Sequence, residues 1–345
     1  MAEKRIGQRT FEFNSGVRVV ASAAVAGPKE GEGLLKKDYD RIYPDNYAGA
    51  DSWEKAERKM MEDAVSLAVE KAGVSTDQMD VFIAGDLLNQ NISASFTART
   101  HQIPYMGMFG ACSASMLTLT TAAILVEAGF CNYTVAAASS HNSTAERQYR
   151  YPTEYGGQKP DTAQWTVTGA GAGVLGKKGK GPRVRYATLG KVVDMGLKNP
   201  FDMGAAMAPA AADTMEAHLR DIGKKPGEYD LIVTGDLAGV GHPIAADLLE
   251  KRGFKTGEEF KDCGLMIFRN DQQAFAGGSG CASSALVTYG HIIDEMMQGR
   301  LSKVMVVATG ALMNPVSYQQ GESIPCIAHA VTLEMPGGGN GGEKG

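Results

Sequence analysis

The chain reads as a layered α/β protein assembled from two copies of one unit, and three observations predict it. First, residues 72–87 (AGVSTDQMDVFIAGDL) and 222–237 (IGKKPGEYDLIVTGDL) repeat at an offset of 150, placing Gly73 on Gly223, Asp80 on Asp230 and Gly85-Asp86-Leu87 on Gly235-Asp236-Leu237. Gly110 to Ser140 then maps onto Gly280 to Gly310 at an offset of 170, so the second copy carries a loop insertion between Asp236 and Gly280. Second, segments of helical periodicity alternate with continuous apolar runs of the buried parallel-strand type. Third, 43 of 345 residues are glycine and only 7% are aromatic, a composition for small-residue packing and tight turns rather than for an aromatic-stapled β protein.

Each element follows from its local pattern. Residues 19–26 form an apolar run that faintly mimics a signal-peptide core, but it is short and preceded by Glu12 and Arg18, so it reads as the first core strand. Asp51-Ser52-Trp53-Glu54 is an N-cap signal. Trp53, Ala56, Met60, Ala64, Leu67 and Ala68 then recur at helical spacing, predicting a helix over 52–72. Strands are predicted at 81–86, 104–109 and 132–138, and again at 231–236, 265–268 and 303–308, with helices between them. Residues 203–222 read as an Ala-rich helix suited to tight packing between layers. This alternation implies parallel sheets with right-handed crossovers. The halves are placed at 1–180 and 181–335, and the glycine-rich stretch 336–345 reads as a flexible tail.

Composition excludes several function classes. A net charge of -5 provides no basic field for nucleic acid. No apolar run approaches the roughly 18 residues that cross a bilayer. The five cysteines are odd in number and never spaced C-x-x-C, which argues against a disulfide framework or zinc ribbon and for a reducing compartment.

One cysteine stands out. In Phe109-Gly110-Ala111-Cys112-Ser113 a thiol sits where an apolar strand turns into a helix starting near Ser113. Small neighbours and a helix N-terminus favour an accessible thiolate, the arrangement of a nucleophile elbow. A buried filler cysteine would fit the same residues.

The duplicated unit, this elbow, the strand Thr168-Gly169-Ala170-Gly171-Ala172-Gly173-Val174-Leu175 and the closing Pro325-Cys326-Ile327-Ala328-His329 resemble the thiolase and ketoacyl synthase superfamily over residues 15–335. More narrowly, GDLLNQN at 85–91, SSHNSTAERQYRYPTEYGGQKP at 139–160, AMAPAAADT at 206–214, DCGLMIF at 262–268 and ESIPCIAHAV at 322–331 resemble thiolase-like sporulation proteins of endospore formers. The resemblance implies a thiolase-like fold in five layers, α-β-α-β-α, and a homodimer. It also implies binding of dipicolinic acid (pyridine-2,6-dicarboxylate) and a part in its uptake into the developing spore with membrane proteins of the same system. The expected location is cytoplasmic and peripheral at the spore inner membrane.

By the same resemblance Cys112 matches the enzymes' nucleophile and Cys326 the thiolases' second cysteine. Where initiating ketoacyl synthases carry a catalytic histidine this chain has Thr234-Gly235-Asp236, and the next catalytic position falls in Gly277-Gly278-Ser279-Gly280 without imidazole or amide. A binding protein on a catalytically degenerate scaffold is therefore expected; a Cys112 acyltransferase using acyl-CoA or acyl-carrier-protein thioesters is the alternative.

A pyridine dicarboxylate calls for planar cations, backbone N–H groups and an apolar wall. Arg147 and Arg150, in the loop just after the strand ending at Ser139-Ser140, are the candidate carboxylate clamps, Tyr149, Tyr151 and Tyr155 ring contacts, His141 a pocket residue, and the N–H groups near Cys112 and Ser113 anion donors. Asp86 and Asp236 either cap the helices that follow or reach a calcium ion carried with the ligand. Asn89, Cys281 and Cys326 complete the expected ligand-binding set. No residue is assigned to a metal, and no cofactor is expected beyond that calcium.

Three further motifs are set aside. Gly171-Ala172-Gly173-Val174-Leu175-Gly176 fits a dinucleotide fingerprint but is followed by a lysine-rich turn instead of a helix. That turn (Lys177, Lys178, Lys180) and its neighbours Arg183 and Arg185 read as a solvated link that suits an anionic membrane. Gly241-His242-Pro243 looks like a thiolase motif in the wrong segment.

Overall fold

The computed structural model describes residues 4–149 and 159–337. Ten strands form the frame: β1 (Arg18–Ala26), β2 (Val81–Gly85), β3 (Tyr105–Gly107), β4 (Thr134–Ser140) and β5 (Gly169–Gly176), then β6 (Arg183–Thr188), β7 (Leu231–Thr234), β8 (Phe260–Asp262), β9 (Lys303–Ala311) and β10 (Cys326–Glu334). Their order is β8-β7-β9-β10-β6-β1-β5-β4-β2-β3. Read outward from the β6/β1 junction, the two sets of five have the same succession: two antiparallel pairings, then two parallel ones. The two sets of five meet at one paired position, Arg183 opposite Arg18, and the N-terminal strand Thr10–Glu12 adds a second seam by pairing with Tyr186–Thr188 of β6.

The sheets are therefore mixed, not the parallel sheets expected from the alternation. In each half the strand before the closing strand runs antiparallel to it, which a run of parallel crossovers does not produce.

Helices α1 (Trp53–Lys71) and α2 (Ile92–His101) cover the outer face of the first sheet. Ser52 caps α1 by accepting from the Lys55 N–H at 3.4 Å, and Ala56, Met60, Ala64 and Ala68 form its buried stripe against Phe82, Val135 and Ala172. Helices α5 (Met203–Ile222) and α6 (Ala238–Lys251) cover the second sheet, burying Met207, Met215 and Leu219 against Ile232 and Met305. Between the sheets lie α3 (Ala114–Glu127) and α7 (Cys281–Leu286), the latter continued by a π turn, Val287–Ile292; Met116, Leu119, Leu286 and Tyr289 pack there against Ile83, Val233 and Val306. Three cores separate five layers, α-β-α-β-α.

Two local expectations change. Residues 265–268 are not a strand: Cys263–Ile267 is a short helix, and the edge strand is β8, which ends at Asp262. Residues 142–149 are not a loop but helix α4 (Asn142–Tyr149); the remainder of that segment, 150–158, with Arg150, Tyr151 and Tyr155, lies outside the described residues, as does the tail from 338 on. The glycines of the dinucleotide-like run have a packing explanation. A Cβ on Gly171 would stand 2.8 Å from the Tyr289 ring and one on Gly173 2.5 Å from it, so these glycines let the π turn lie flat on β5.

Candidate functional site

The repeat places the ends of β2 and β7 and the starts of α3 and α7 around one region between the layers. There a cavity of about 350 Å³ opens, within the range of small-molecule sites. Its wall includes Leu87, Ala111, Cys112, Glu146, Tyr149, Thr166, Phe201, Met203, Ser279, Gly280, Met313 and Tyr318. A groove lined by Asn89, Gln90, Phe109 and Val316 continues it outward, sharing Leu87, Tyr149 and Met313.

Cys112 sits in a single 3-10 turn, Ala111–Ser113, that precedes α3. Ala111 has φ +49, a left-handed conformation uncommon for a residue with a side chain, so the turn is held by its surroundings. The holders are local. Ser113 donates its N–H and hydroxyl to the Gly110 carbonyl at 3.1 and 2.6 Å, and the Cys281 thiol donates to the Ala111 carbonyl at 3.1 Å. Ser113 and Cys281 are thus buttresses behind the elbow, and the Ser113 N–H is spent inside the turn instead of being aimed at an anion.

The thiol of Cys112 faces the carboxyl of Asp236. Asp236 Oδ1 accepts from the Thr309 hydroxyl at 2.5 Å, Oδ2 accepts from the Gly280 N–H at 3.1 Å, and its backbone carbonyl accepts from the Gln164 amide at 2.6 Å. Gly280 has φ +95, and a Cβ there would lie 2.7 Å from the Ser140 hydroxyl; only glycine presents that N–H. Burial pushes Asp236 up to about 7, against the stabilising donors Thr309, Cys112 and Gly280. Burial, and then the Asp236 charge, push the Cys112 thiol well above its ordinary value. Desolvation and the neighbouring carboxyl thus oppose the thiolate that a helix N-terminus favours.

Asp86, at the matching position of the first half, does something else. Its carboxylate accepts from the Leu88 and Ala94 N–H groups at 2.9 and 2.8 Å, capping the entry to α2, and it is fully buried. Behind it Glu57 accepts from Ser139 and Thr144, and burial together with Asp86 holds Glu57 well above the carboxylate range. In the second half the cap of α6 comes from Asp262, which accepts from the Leu237 and Ala238 N–H groups at 2.8 and 3.0 Å and from the Thr234 hydroxyl at 2.7 Å. Both oxygens of Asp86 and of Asp236 therefore accept from donors of the chain, and Asp86 takes the capping role expected as one of its two alternatives. Among the described residues no cluster of His, Cys, Asp and Glu has the arrangement to hold a metal.

The remaining expected site residues divide. Tyr149 lines the cavity, its hydroxyl donating to the Leu87 carbonyl at 2.8 Å, and Asn89 lies on the outer groove, its N–H donating to Gln148. Arg147 is turned away: it ion-pairs with Glu54 at 2.9 Å and stacks on Trp53, on the opposite side of α4 from Ala145 and Tyr149. His141 is buried and satisfied, donating from Nε2 to the Asn46 carbonyl at 2.9 Å and accepting the Ser143 N–H on Nδ1; burial lowers its pKa. Cys326 is buried at the start of β10, donates to the Ile324 carbonyl at 3.4 Å, and is pushed up to about 12 by burial. Neither His141 nor Cys326 is part of the cavity wall.

Sequence reading missed Glu146, Thr166, Phe201, Met313 and Tyr318. For Glu146 a signal existed: Ala145 and Tyr149 are one helical turn apart, and reading 142–149 as a helix puts Glu146 beside them and Arg147 behind. Phe201 and Met313 sit on loops, Thr166 on a two-residue strand and Tyr318 on a five-residue helix, all too short for a periodicity to place them.

Comparison with known proteins sets this geometry in context. Residues 7–334 match the family described as stage V sporulation protein AD. The Bacillus subtilis (strain 168) stage V sporulation protein AD is 52% identical over 335 residues, spanning 97% of this chain and 99% of that one. Among solved structures, 3-oxoacyl-[acyl-carrier-protein] synthase III from Aquifex aeolicus superposes with a TM-score of 0.56 at 15% identity, covering 92% of this chain and 100% of that one. Human mitochondrial 3-ketoacyl-CoA thiolase gives 0.57 at 12% identity, covering 93% and 98%. A single-residue variant of OleA from Xanthomonas campestris gives 0.58 at 16%, covering 93% and 99%. At these identities the three structures establish the thiolase-like fold alone.

Proposed function

The chain belongs to the stage V sporulation protein AD family, and from that premise we propose that it is a binding protein whose cavity beside Cys112 receives dipicolinic acid and which assists uptake of that acid into the developing spore. The observation that carries the reading is the pairing of Cys112 with Asp236. Acyl transfer on this scaffold needs a thiolate, a base that forms it and donors for an oxyanion. Here the half-buried thiol faces a buried carboxyl, whose charge favours the protonated sulfur, and no histidine is among the described residues lining the cavity. The space and partly apolar wall suit a flat ring acid, with Tyr149, Phe201 and Tyr318 offering ring contacts and Thr166 and Ser279 hydroxyl donors.

Charge constrains how that acid enters. A bare dianion would meet Glu146 and Asp236, so the ligand is proposed to arrive as its uncharged calcium chelate or with a proton taken up on binding. A calorimetric titration with dipicolinate, with calcium and with chelator, tests this; no binding at about millimolar concentration in either condition would overturn it. The competing reading, a Cys112 acyltransferase, rests on the same elbow and on Asp236 as a carboxyl titrating near neutrality. Incubation with acyl-CoA followed by intact-protein mass separates the two: the binding reading expects no adduct on Cys112.

Two proposed associations have structural support. The outer edge of β3 is unpaired and exposes Met106 and Phe109, which suits a homodimer. The exposed turn with Lys177, Lys178 and Lys180 suits a peripheral position at an anionic membrane beside the uptake system's membrane proteins. No helix among the described residues is long and apolar enough to cross a membrane.

A further inference from the structure

The cavity wall contains one charged side chain, Glu146, and no Lys or Arg among its described lining residues. A dicarboxylate placed there would face like charge. Directly behind Glu146, however, stands Lys159, its Nζ 2.7 Å from Glu146 Oε1. Only 15% of the Lys159 side chain is exposed, and its ammonium lies 5.3 Å from the Trp165 ring and 5.8 Å from the Phe275 ring. A lysine this enclosed is costly unless a carboxylate pairs with it.

The neighbourhood adds a second cation. Lys29 lies 3.4 Å above the same Trp165 ring, with its pKa lowered by burial and in part by Lys159. Glu30, the acid beside Lys29, is fully buried and raised to about 7 by that burial, so it offsets the two ammoniums incompletely near neutral pH. Trp165 and Thr166 form a short strand that pairs with Gly278–Ser279, and Thr166 and Ser279 are both in the cavity wall. Lys159 is thus one side-chain layer from the cavity, held there by aromatic faces and screened from it by Glu146.

We propose that Lys159 is the specificity-determining cation of the cavity, which Glu146 occupies while the site is empty and which a ligand carboxylate takes over when Glu146 swings aside. The exchange keeps the enclosed Lys159 ammonium paired with a carboxylate throughout. It also explains how a wall without a described cation admits an aromatic dicarboxylate. This inference rests on the ligand class proposed above and assigns the residue that reads its second carboxylate.

The test compares pyridine-2,6-dicarboxylate with pyridine-2-carboxylate, which lacks one carboxylate, by equilibrium titration of the full chain. Wild type is expected to prefer the dicarboxylate. Lys159→Met is expected to weaken dicarboxylate binding about ten- to a hundredfold while leaving the monocarboxylate nearly unchanged, so the preference collapses. Lys159→Arg keeps the preference, and Glu146→Gln, which removes the internal competitor, binds the dicarboxylate severalfold more tightly. A Lys159→Met protein with wild-type preference, a Lys159→Arg protein without it, or a Glu146→Gln protein that binds more weakly than wild type would each overturn the inference and leave the proposed ligand standing. Absence of any dicarboxylate binding by wild type would overturn the proposed ligand and this inference with it.

Discussion

In the first half of the molecule the carboxylate that follows the second strand, Asp86, folds back on its own chain and caps α2 through Leu88 and Ala94. Its counterpart in the second half, Asp236, points across the interlayer space, where Thr309, Gly280 and Cys112 surround it. The capping duty has passed to Asp262 at the end of the edge strand, which takes both N–H groups at the start of α6. A duplicated unit thus keeps the same Gly-Asp-Leu at the same strand end and uses it for two purposes. The difference is made possible by a residue 26 positions downstream that relieves Asp236 of structural work. One half carries the elbow with its cysteine, and the other supplies the carboxyl that sets the state of that cysteine.

The contrast predicts a graded series of effects. Asp262→Ala should be the most damaging, since it strands two backbone donors and the Thr234 hydroxyl in a fully buried site; a loss of about 3–5 kcal/mol in urea unfolding is expected. Asp86→Ala, with two backbone donors stranded, should cost about 2–3 kcal/mol by the same measurement. Asp236→Asn keeps an acceptor for Thr309 but turns its amide NH2 toward the Gly280 N–H, stranding one donor, and should cost about 1–2 kcal/mol. If Asp236→Asn proves as destabilising as Asp262→Ala, the division of labour between the two acids is wrong.

Asp236→Asn should instead act on Cys112. Removing the neighbouring charge lowers the thiol pKa, and each unit is about a tenfold gain in thiolate, so alkylation by iodoacetamide at pH 7.5 should accelerate by up to about tenfold. Asp86→Asn, whose effect on Cys112 is not direct, should leave that rate near wild type. Equal acceleration in both variants would place the control of Cys112 elsewhere.

The pH profile reads the same two acids together. Asp236 and Asp262 are raised by burial to about 7 and about 6, above the ordinary value of 3.8. The folded state then holds protons that the unfolded chain releases. Their protonated forms favour folding fully below about pH 4, and that contribution is lost as the pH rises through about 6 to 7. The urea midpoint should fall between pH 5 and pH 8, and Asp236→Asn should flatten part of that fall. A midpoint that rises over this interval would mean that both acids are ionised and paired in the folded protein.

Much of the frame was legible from local pattern. The Trp53–Lys71 helix, the strands after Gly73 and Gly223, and the Ala-rich Met203–Ile222 helix follow from periodicity, caps and turn glycines. Cys112 at a helix entry was equally visible. The short elements were not: Cys263–Ile267 looks like a strand by its apolar run, and only the demand of α6 for a cap explains why the chain stops extending at Asp262. The Arg147 assignment failed because sequence supplies a cation without its direction. On α4 that direction is fixed by Ala145 and Tyr149 facing the cavity, which leaves Arg147 on Trp53 and Glu54.

By itself, the sequence determined the duplication, the layered class and the cysteine at a helix start. These depend on residue type and on spacing within one or two elements, and both are carried in the order of the chain. What the tertiary structure alone decided is which groups meet across layers: Asp236 with Cys112, Asp262 with the start of α6, Cys281 behind Ala111, Lys159 behind Glu146. Those meetings join residues far apart in sequence through sheet register and helix facing. A burial energy that depends on the whole surroundings then sets whether a carboxyl caps a helix, pairs with a lysine or holds a proton beside a thiol.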